Sequence, residues 1–317
     1  MGDFSADWLS LRTAADSRAR ADDLVRRAGL VPGGAAERPL PVLDLGCGTG
    51  ANLRHLAPLL GDAGARDQHW TCVDRDDALL ARLPERCGAW AVEIGLAASK
   101  RAGALLIDAG GWRCRVRALS LDLAAERLRL PMPTAGLVSA SALLDLVSAA
   151  WLDALLAACH AERCALLFAL SYDGRCRLTP AHADDAFVVD RVNRHQRSDK
   201  GFGPALGPDA AGHAAARCAA LGYRVDSAAS DWHLEPGDAA LQLALVDGWR
   251  QAAMTPGSPR GDADSVAAGR RSYRAEGPRE DVRRRIDAWH RARRDWIARG
   301  RSRILVGHRD LVATPPA

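Results

Sequence analysis

Three glycines separated by single residues, Gly46, Gly48 and Gly50, stand between an apolar run and a helix-forming stretch, and they constrain the fold more than any other feature of the chain. Leu40, Val42, Leu43 and Leu45 lie just before them and read as a short buried parallel strand, while residues 51–60 read as a helix. Glycine takes positive φ and has no Cβ, so the chain can turn sharply there and a ligand can lie against bare backbone. Asp44, just ahead of the first glycine, puts a carboxylate at the carboxyl end of the strand, a place suited to a ligand with positive charge.

The stretch DLGCGTG, residues 44–50, resembles the motif of class I S-adenosylmethionine-dependent methyltransferases: an acidic residue, any residue, then Gly-x-Gly-x-Gly. Gly46, Gly48 and Ala51 also satisfy the G-x-G-x-x-G/A fingerprint of nicotinamide dinucleotide sites. Those sites present a helix N-terminus to a pyrophosphate, which an adjacent carboxylate would repel, so Asp44 favours the methyl donor. The resemblance covers residues 42–223 and implies an α/β fold, a doubly wound seven-stranded Rossmann-like methyltransferase sheet whose last two strands form an antiparallel edge pair. It implies S-adenosyl-L-methionine as cofactor, held by Asp44, Gly46, Cys47, Gly48 and Gly50.

Further site residues follow from the same resemblance. Residues 68–74 read as the second strand, and Asp74, with Arg75 beside it, takes the position that accepts the ribose hydroxyls. Residues 112–121 alternate as a strand leading to Asp122, which matches the acceptor of the adenine amino group, with the Leu123 backbone beside the ring. Residues 136–141 read as the fourth strand, and Ser139 there lies under the transferable methyl. Enzymes of the family that methylate exocyclic base nitrogens or glutamine amides carry an Asn/Asp-Pro-Pro-aromatic turn at this place; Ser139-Ala140-Ser141 argues against such targets. An N-terminal helix over residues 8–30 would close over the donor, with Arg12 and Arg20 near its carboxylate.

The rest of the chain is read in order. Residues 90–101 read as a helix, 143–159 as an amphipathic helix with Asp145 near its start, and 165–170 as the fifth strand, ending at Ser171-Tyr172-Asp173. The polar stretch up to Gly207, which contains His182, His195 and Lys200, is expected to hold a helix over 184–192 and otherwise to be a loop over the substrate. His195, Asp145 and Tyr172 are the candidate catalytic residues, with His182 and Asp173 behind them. Residues 209–221 read as a helix and 223–228 as a strand. Residues 238–254 and 278–299 then read as two helices around a Gly- and Pro-rich loop, and 302–314 as a last strand pairing with the strand at 223. The expected organisation is a cap over 1–34, a cofactor-binding core over 35–237, a helical insertion over 238–301, and a final strand and tail over 302–317.

Charge and cysteine content bound the function. The net charge of +4 belongs to the tail, since residues 251–317 hold 15 Arg against 8 acidic residues and the rest is slightly acidic. In the arginine-rich helix Ile286, Trp289, Arg293 and Trp296 follow 3, 4 and 3 spacing, which suits packing on one face. The other face is either solvated or a surface for phosphate. Eight cysteines show neither a CxxC pair nor zinc-finger spacing and are expected to be reduced, with no metal site. No signal peptide and no membrane-spanning run is evident, so a cytoplasmic protein is expected. The preferred function is methylation of a small-molecule acceptor at oxygen or nitrogen. An RNA methyltransferase using the basic C-terminal helix and a non-catalytic methyltransferase-like binding module are the alternatives.

Overall fold

The computed structural model describes residues 6–30, 38–125, 130–255 and 279–316. Five parallel strands form the middle of one sheet: β1 (Leu40–Leu45), β2 (Asp67–Asp74), β5 (Arg113–Ser120), β6 (Leu137–Ser141) and β7 (Ala165–Thr179). They lie in the order β5-β2-β1-β6-β7, and the sheet continues through antiparallel β10 (Arg303–Thr314) to β8 (Arg224–Ala229). These seven strands reproduce the expected arrangement, including the antiparallel edge pair with helices inserted between its members.

The sheet has ten strands rather than seven. Residues 90–101 do not form one helix. Helix α4 (Asp77–Glu93), capped by Asp76, ends before Gly95, and the chain turns into the hairpin of β3 (Ala97–Arg101) and β4 (Ala104–Asp108), which extends the sheet beside β5. Ala102 and Gly103 both take positive φ, the geometry that a two-residue hairpin turn needs. The tenth strand, β9 (Trp232–Leu234), adds to the outer half of β10.

Helices cover both faces: α2 (Asp22–Arg27), α3 (Ala51–Asp62) and α4 enclose one core with β1, β2 and β5, and α5 (Ala149–Ala161) and α7 (Ala210–Ala220) enclose the other. The single helix expected over residues 8–30 is two, α1 (Ala6–Ala19) and α2, with the break held by Asp310, which accepts the Ala21 N–H at 3.0 Å. Likewise the helix expected from residue 143 begins as a short 3₁₀ turn, Leu144–Leu146, and becomes α5 only after Ser148 caps it.

A third core lies outside the sheet. β7 and β10 run past their neighbours as a long antiparallel pair, and α1, α6 (Asp185–Gln196), α8 (Ala239–Met254) and α9 (Glu280–Ala298) pack with it around Tyr172, Val188, Trp232, Trp249, Ile286 and Trp289. The helix expected over 184–192 is α6, which runs four residues further and takes up His195, expected in the loop after it. On α9 the buried face is Ile286, Trp289, Arg293 and Ile297, so the pattern drifts one position from the spacing read in the sequence. Arg293 is fully enclosed, and its guanidinium pairs with Asp185 at the start of α6, which also accepts the Trp289 indole N–H at 2.8 Å. The loop expected between α8 and α9 lies outside the described residues.

Candidate functional site

The carboxyl ends of β1, β2 and β6 meet at the glycine turn. Gly48 and Gly50 take φ of +52° and +81°, and a Cβ on Gly50 would stand 2.6 Å from Cys87 Sγ. One on Gly48 would stand 3.0 Å from Leu9 Cδ1, so α1 lies directly against the turn. Asp74 clamps it from the neighbouring strand: its Oδ2 accepts the Gly48 N–H at 2.8 Å and its Oδ1 the Asp76 N–H at 3.1 Å. Each oxygen keeps a second lone pair for a ligand hydroxyl.

A cavity of about 150 Å³ opens over this turn. Gly46, Cys47, Gly48, Asn52, Asp74 and Arg75 line its floor, and Leu9, Arg12 and Asp16 of α1 cover it. Asp44 lies behind that wall and is fully enclosed. Asn52 Nδ2 donates to Asp44 Oδ1 at 2.6 Å and to Ser139 Oγ at 2.9 Å, and Arg20 donates to Asn52 Oδ1 at 2.6 Å. Asp44 Oδ2 has no partner, and burial raises its carboxyl to about 7, against the Asn52 hydrogen bond and the Arg20 charge that favour ionisation. Burial also lowers the Arg20 guanidinium.

Asp44, Gly50 and Ser139 thus support the wall without lining the cavity. Asp122 and Leu123 do not line it either: Asp122 Oδ1 accepts the Ala124 N–H at 2.9 Å within its turn, and the Leu123 carbonyl accepts the Trp151 indole N–H at 2.8 Å. Arg12, expected near a donor carboxylate, lines the cavity while paired with Asp16 at 2.8 Å. The backbone of the glycine turn and the carboxylate of Asp74, both lining the cavity, fit the nucleoside of S-adenosylmethionine.

A second cavity of about 380 Å³ adjoins the first, and Arg12, Ala142 and Leu146 line both. Ala142 has φ +53°, and the left-handed turn there folds residues 143–146 down as the partition. Asp145, Tyr172 and His195, read separately from the sequence, all face this space. Asp145 is buried, its Oδ1 has no partner, and burial raises its carboxyl to about 6. Tyr172 donates to Asn193 Oδ1 at 2.7 Å, and burial pushes its phenol far up, so it serves as a hydroxyl and not as a phenolate. His195 is lowered by burial and by Lys200, whose ammonium donates to the His195 carbonyl at 3.1 Å and to Ser198 Oγ at 2.9 Å.

His308 is the polar group that sequence reasoning missed. It faces Tyr172 across the β7–β10 pair, between two register shifts that re-aim both side chains. Its Nδ1 lies 3.0 Å from the Val306 carbonyl, which fixes that nitrogen as the donor and leaves Nε2 as an acceptor, and burial lowers it to about 4. The available signal was Gly307, a glycine inside a strand pattern, which marks a bulge. Trp8, Trp232 and Trp249 complete the aromatic wall. The other two candidates lie elsewhere: His182 accepts the Asp184 N–H at the start of α6, and Asp173 is paired with Arg175.

The arginines of α9 are extensively committed. Arg285 binds Asp184, Arg294 binds Asp247 at 2.7 Å, Arg284 binds Glu280 at 3.1 Å and Arg299 binds Asp295 at 2.9 Å. All eight cysteines are free thiols, and among the described residues no cluster fit for a metal ion occurs. Among the described residues no helix is long and apolar enough to cross a membrane.

No protein-family model matches the sequence, and no curated protein matches it at a significant level. Among solved structures, a cyclopropane-fatty-acyl-phospholipid synthase-like protein from Lactobacillus casei is similar at 14% identity and TM-score 0.46, over 97% of this chain and 93% of that one. The phosphoethanolamine N-methyltransferase 2 of Haemonchus contortus, solved with phosphomonomethylethanolamine and S-adenosylhomocysteine, is similar at 12% identity and TM-score 0.42. There the match takes in the whole of this chain but 58% of the other. An O-methyltransferase family protein from Burkholderia thailandensis is similar at 14% identity and TM-score 0.39, over 71% of this chain and 57% of that one. The strand order itself carries the fold assignment: a doubly wound α/β sheet with an antiparallel edge pair and a helical insertion.

Proposed function

We propose that the protein is a class I S-adenosylmethionine-dependent methyltransferase acting on a small molecule held in the second cavity. The observation that carries this reading is the junction of the two cavities at Arg12, Ala142 and Leu146, with the glycine turn and Asp74 on one side and Asp145 on the other. When bound, the donor supplies a methyl group already activated on a sulfonium. The chain's own residues then have to hold two reactants in line, and orientation of that kind accounts for about 7–11 kcal/mol of barrier reduction. Asp74 would hold the ribose hydroxyls, the Gly46–Gly48 backbone would lie against the donor, and Asp44 would place negative charge behind Asn52. Asp145 and His308 can accept a hydrogen bond from the acceptor's nucleophile. A cavity of this volume suits a small molecule, whereas the paired arginines of α9 leave an RNA reading with less support.

Calorimetric titration with S-adenosylmethionine, S-adenosylhomocysteine and NAD tests the cofactor. Micromolar binding of the first two, lost in Asp44→Ala, is the expected result. Binding of NAD alone, or of none of the three, would overturn the proposal.

A further inference from the structure

Resting on that reading, we infer that the second cavity selects an amine, a primary or secondary nitrogen carried on an aryl or alkyl body. The inference begins with Asp145. It is buried, it lines the cavity, its Oδ1 has no hydrogen-bond partner, and no ion pair reaches it among the described residues. A carboxylate left this way costs free energy unless a ligand supplies the missing donor.

The charged and titratable groups that share its cavity come from five other parts of the chain, and none is hydrogen-bonded to its Oδ1. Arg12 on α1 gives its Nε and one terminal nitrogen to Asp16 and stacks 5.1 Å from the Trp232 ring centre. Lys200 is bonded to the loop that carries it. Tyr172 on β7 donates to Asn193, and the His308 Nδ1 on β10 donates to Val306. His195 on α6 is held toward its neutral form by burial and by Lys200. The Arg12 and Lys200 charges favour the ionised form of Asp145 without hydrogen-bonding its Oδ1, so that oxygen is left as the acceptor that a ligand N–H would fill.

The remaining walls specify the body of the ligand. Trp8, Trp232, Trp249, Leu170, Leu245 and Val306 surround the space with rings and methyl groups. Aromatic faces attract cations as well as apolar groups, so an ammonium beside Asp145 gains from both. Position also fits, because Asp145 is the chain neighbour of Leu146 in the partition. An amine bound as its free base can give an N–H to Asp145 while its lone pair faces the donor cavity. Attack by that lone pair forms the N–C bond as the S–C bond breaks with its electron pair remaining on sulfur, and the resulting ammonium stays paired with Asp145.

Binding to the full chain saturated with S-adenosylhomocysteine tests this by calorimetry, with phenethylamine and tryptamine as probes against 2-phenylethanol, tryptophol and 3-phenylpropionate. The amines should bind about 10- to 100-fold tighter than their alcohol counterparts, and tighter than the acid. Asp145→Asn should remove that preference, and Asp145→Glu should restore part of it, with S-adenosylhomocysteine affinity unchanged in both as the check on folding. Equal binding of amine and alcohol, preference for the acid, no amine binding, or a preference that survives Asp145→Asn would each overturn the inference. Amine selectivity in a protein that binds neither form of the donor would overturn the methyltransferase reading and leave the amine site standing. Donor binding without amine selectivity would do the reverse.

Discussion

The two cavities are neighbours built on opposite principles. The first is walled largely by the backbone and carboxylates of two adjacent strand ends, residues 46–52 and 74–76, with one helix laid over it. Side chains from α1, the 3₁₀ turn, β7, α6, β9, α8 and β10 make the second, where no stretch contributes more than a few. Backbone geometry has few alternatives, so the first cavity can recognise one shape and loses it when the turn is disturbed. A wall of side chains can be altered residue by residue. The contrast therefore places chemistry held in common on the first side and selectivity on the second.

The harshest way to break that contrast is Gly50→Val. A β-branched residue at φ +81°, with Cys87 Sγ where its Cβ must go, should cost about 3 kcal/mol or more. Donor binding should disappear by calorimetry while the amine probes still bind the second cavity within a few-fold. Loss of both would mean that the cavities are one unit.

A smaller effect is expected for Asp74→Ala, which removes a charged hydrogen-bond acceptor worth about 1.5–3 kcal/mol to the donor. Its S-adenosylhomocysteine affinity should fall about 10- to 100-fold with no change in amine selectivity, and unchanged affinity would remove Asp74 from the donor site.

The smallest effect sharpens the second cavity through stability. Asp145 is raised from 3.8 to about 6, so the folded state binds a proton that the unfolded state has released across that interval. Its contribution to stability therefore falls as pH rises from about 4 to 6, by about 3 kcal/mol when complete. Asp145→Asn should remove this penalty at pH 8, although its buried amide gives back part of the gain, leaving about 1 kcal/mol or about 2 °C in Tm. At pH 4.5, where the native carboxyl is already protonated, the variant should melt no higher than the parent. Equal melting shifts at the two pH values would show that the carboxylate is solvated.

How far the sequence could be read follows the same division. The glycine turn, Asp74 and the edge pair were legible because short-range rules govern them: a strand end, a turn that demands glycine, an apolar alternation. The β3–β4 hairpin was not, since Ala98 and Lys100 sit on an exposed edge where burial imposes no clear pattern. Asp145, Tyr172 and His195 were found one at a time, but nothing in their spacing shows that they share a cavity, because tertiary packing of the insertion brings them together. His308 was hidden for a related reason: its direction depends on bulges that only the pairing of β10 with β7 reveals. Asp44 was read as reaching a ligand, whereas the side chain of Asn52, eight residues on, closes in front of it.

The pairing of β8 with β10 ends at Ala229 and Arg309, which face each other, and the helical insertion lies in the chain between them. Ser230 N–H and the His308 carbonyl join at 2.9 Å just beyond that pair. The segment that carries Trp232, Trp249, Val306 and His308 thus hangs from a closed clasp at the margin of the sheet. Within it β9 and the first half of β10 stay paired in the sheet, so the part whose length and content can change is the helical one, α8 and α9, an exchangeable cartridge fitted to a fixed frame.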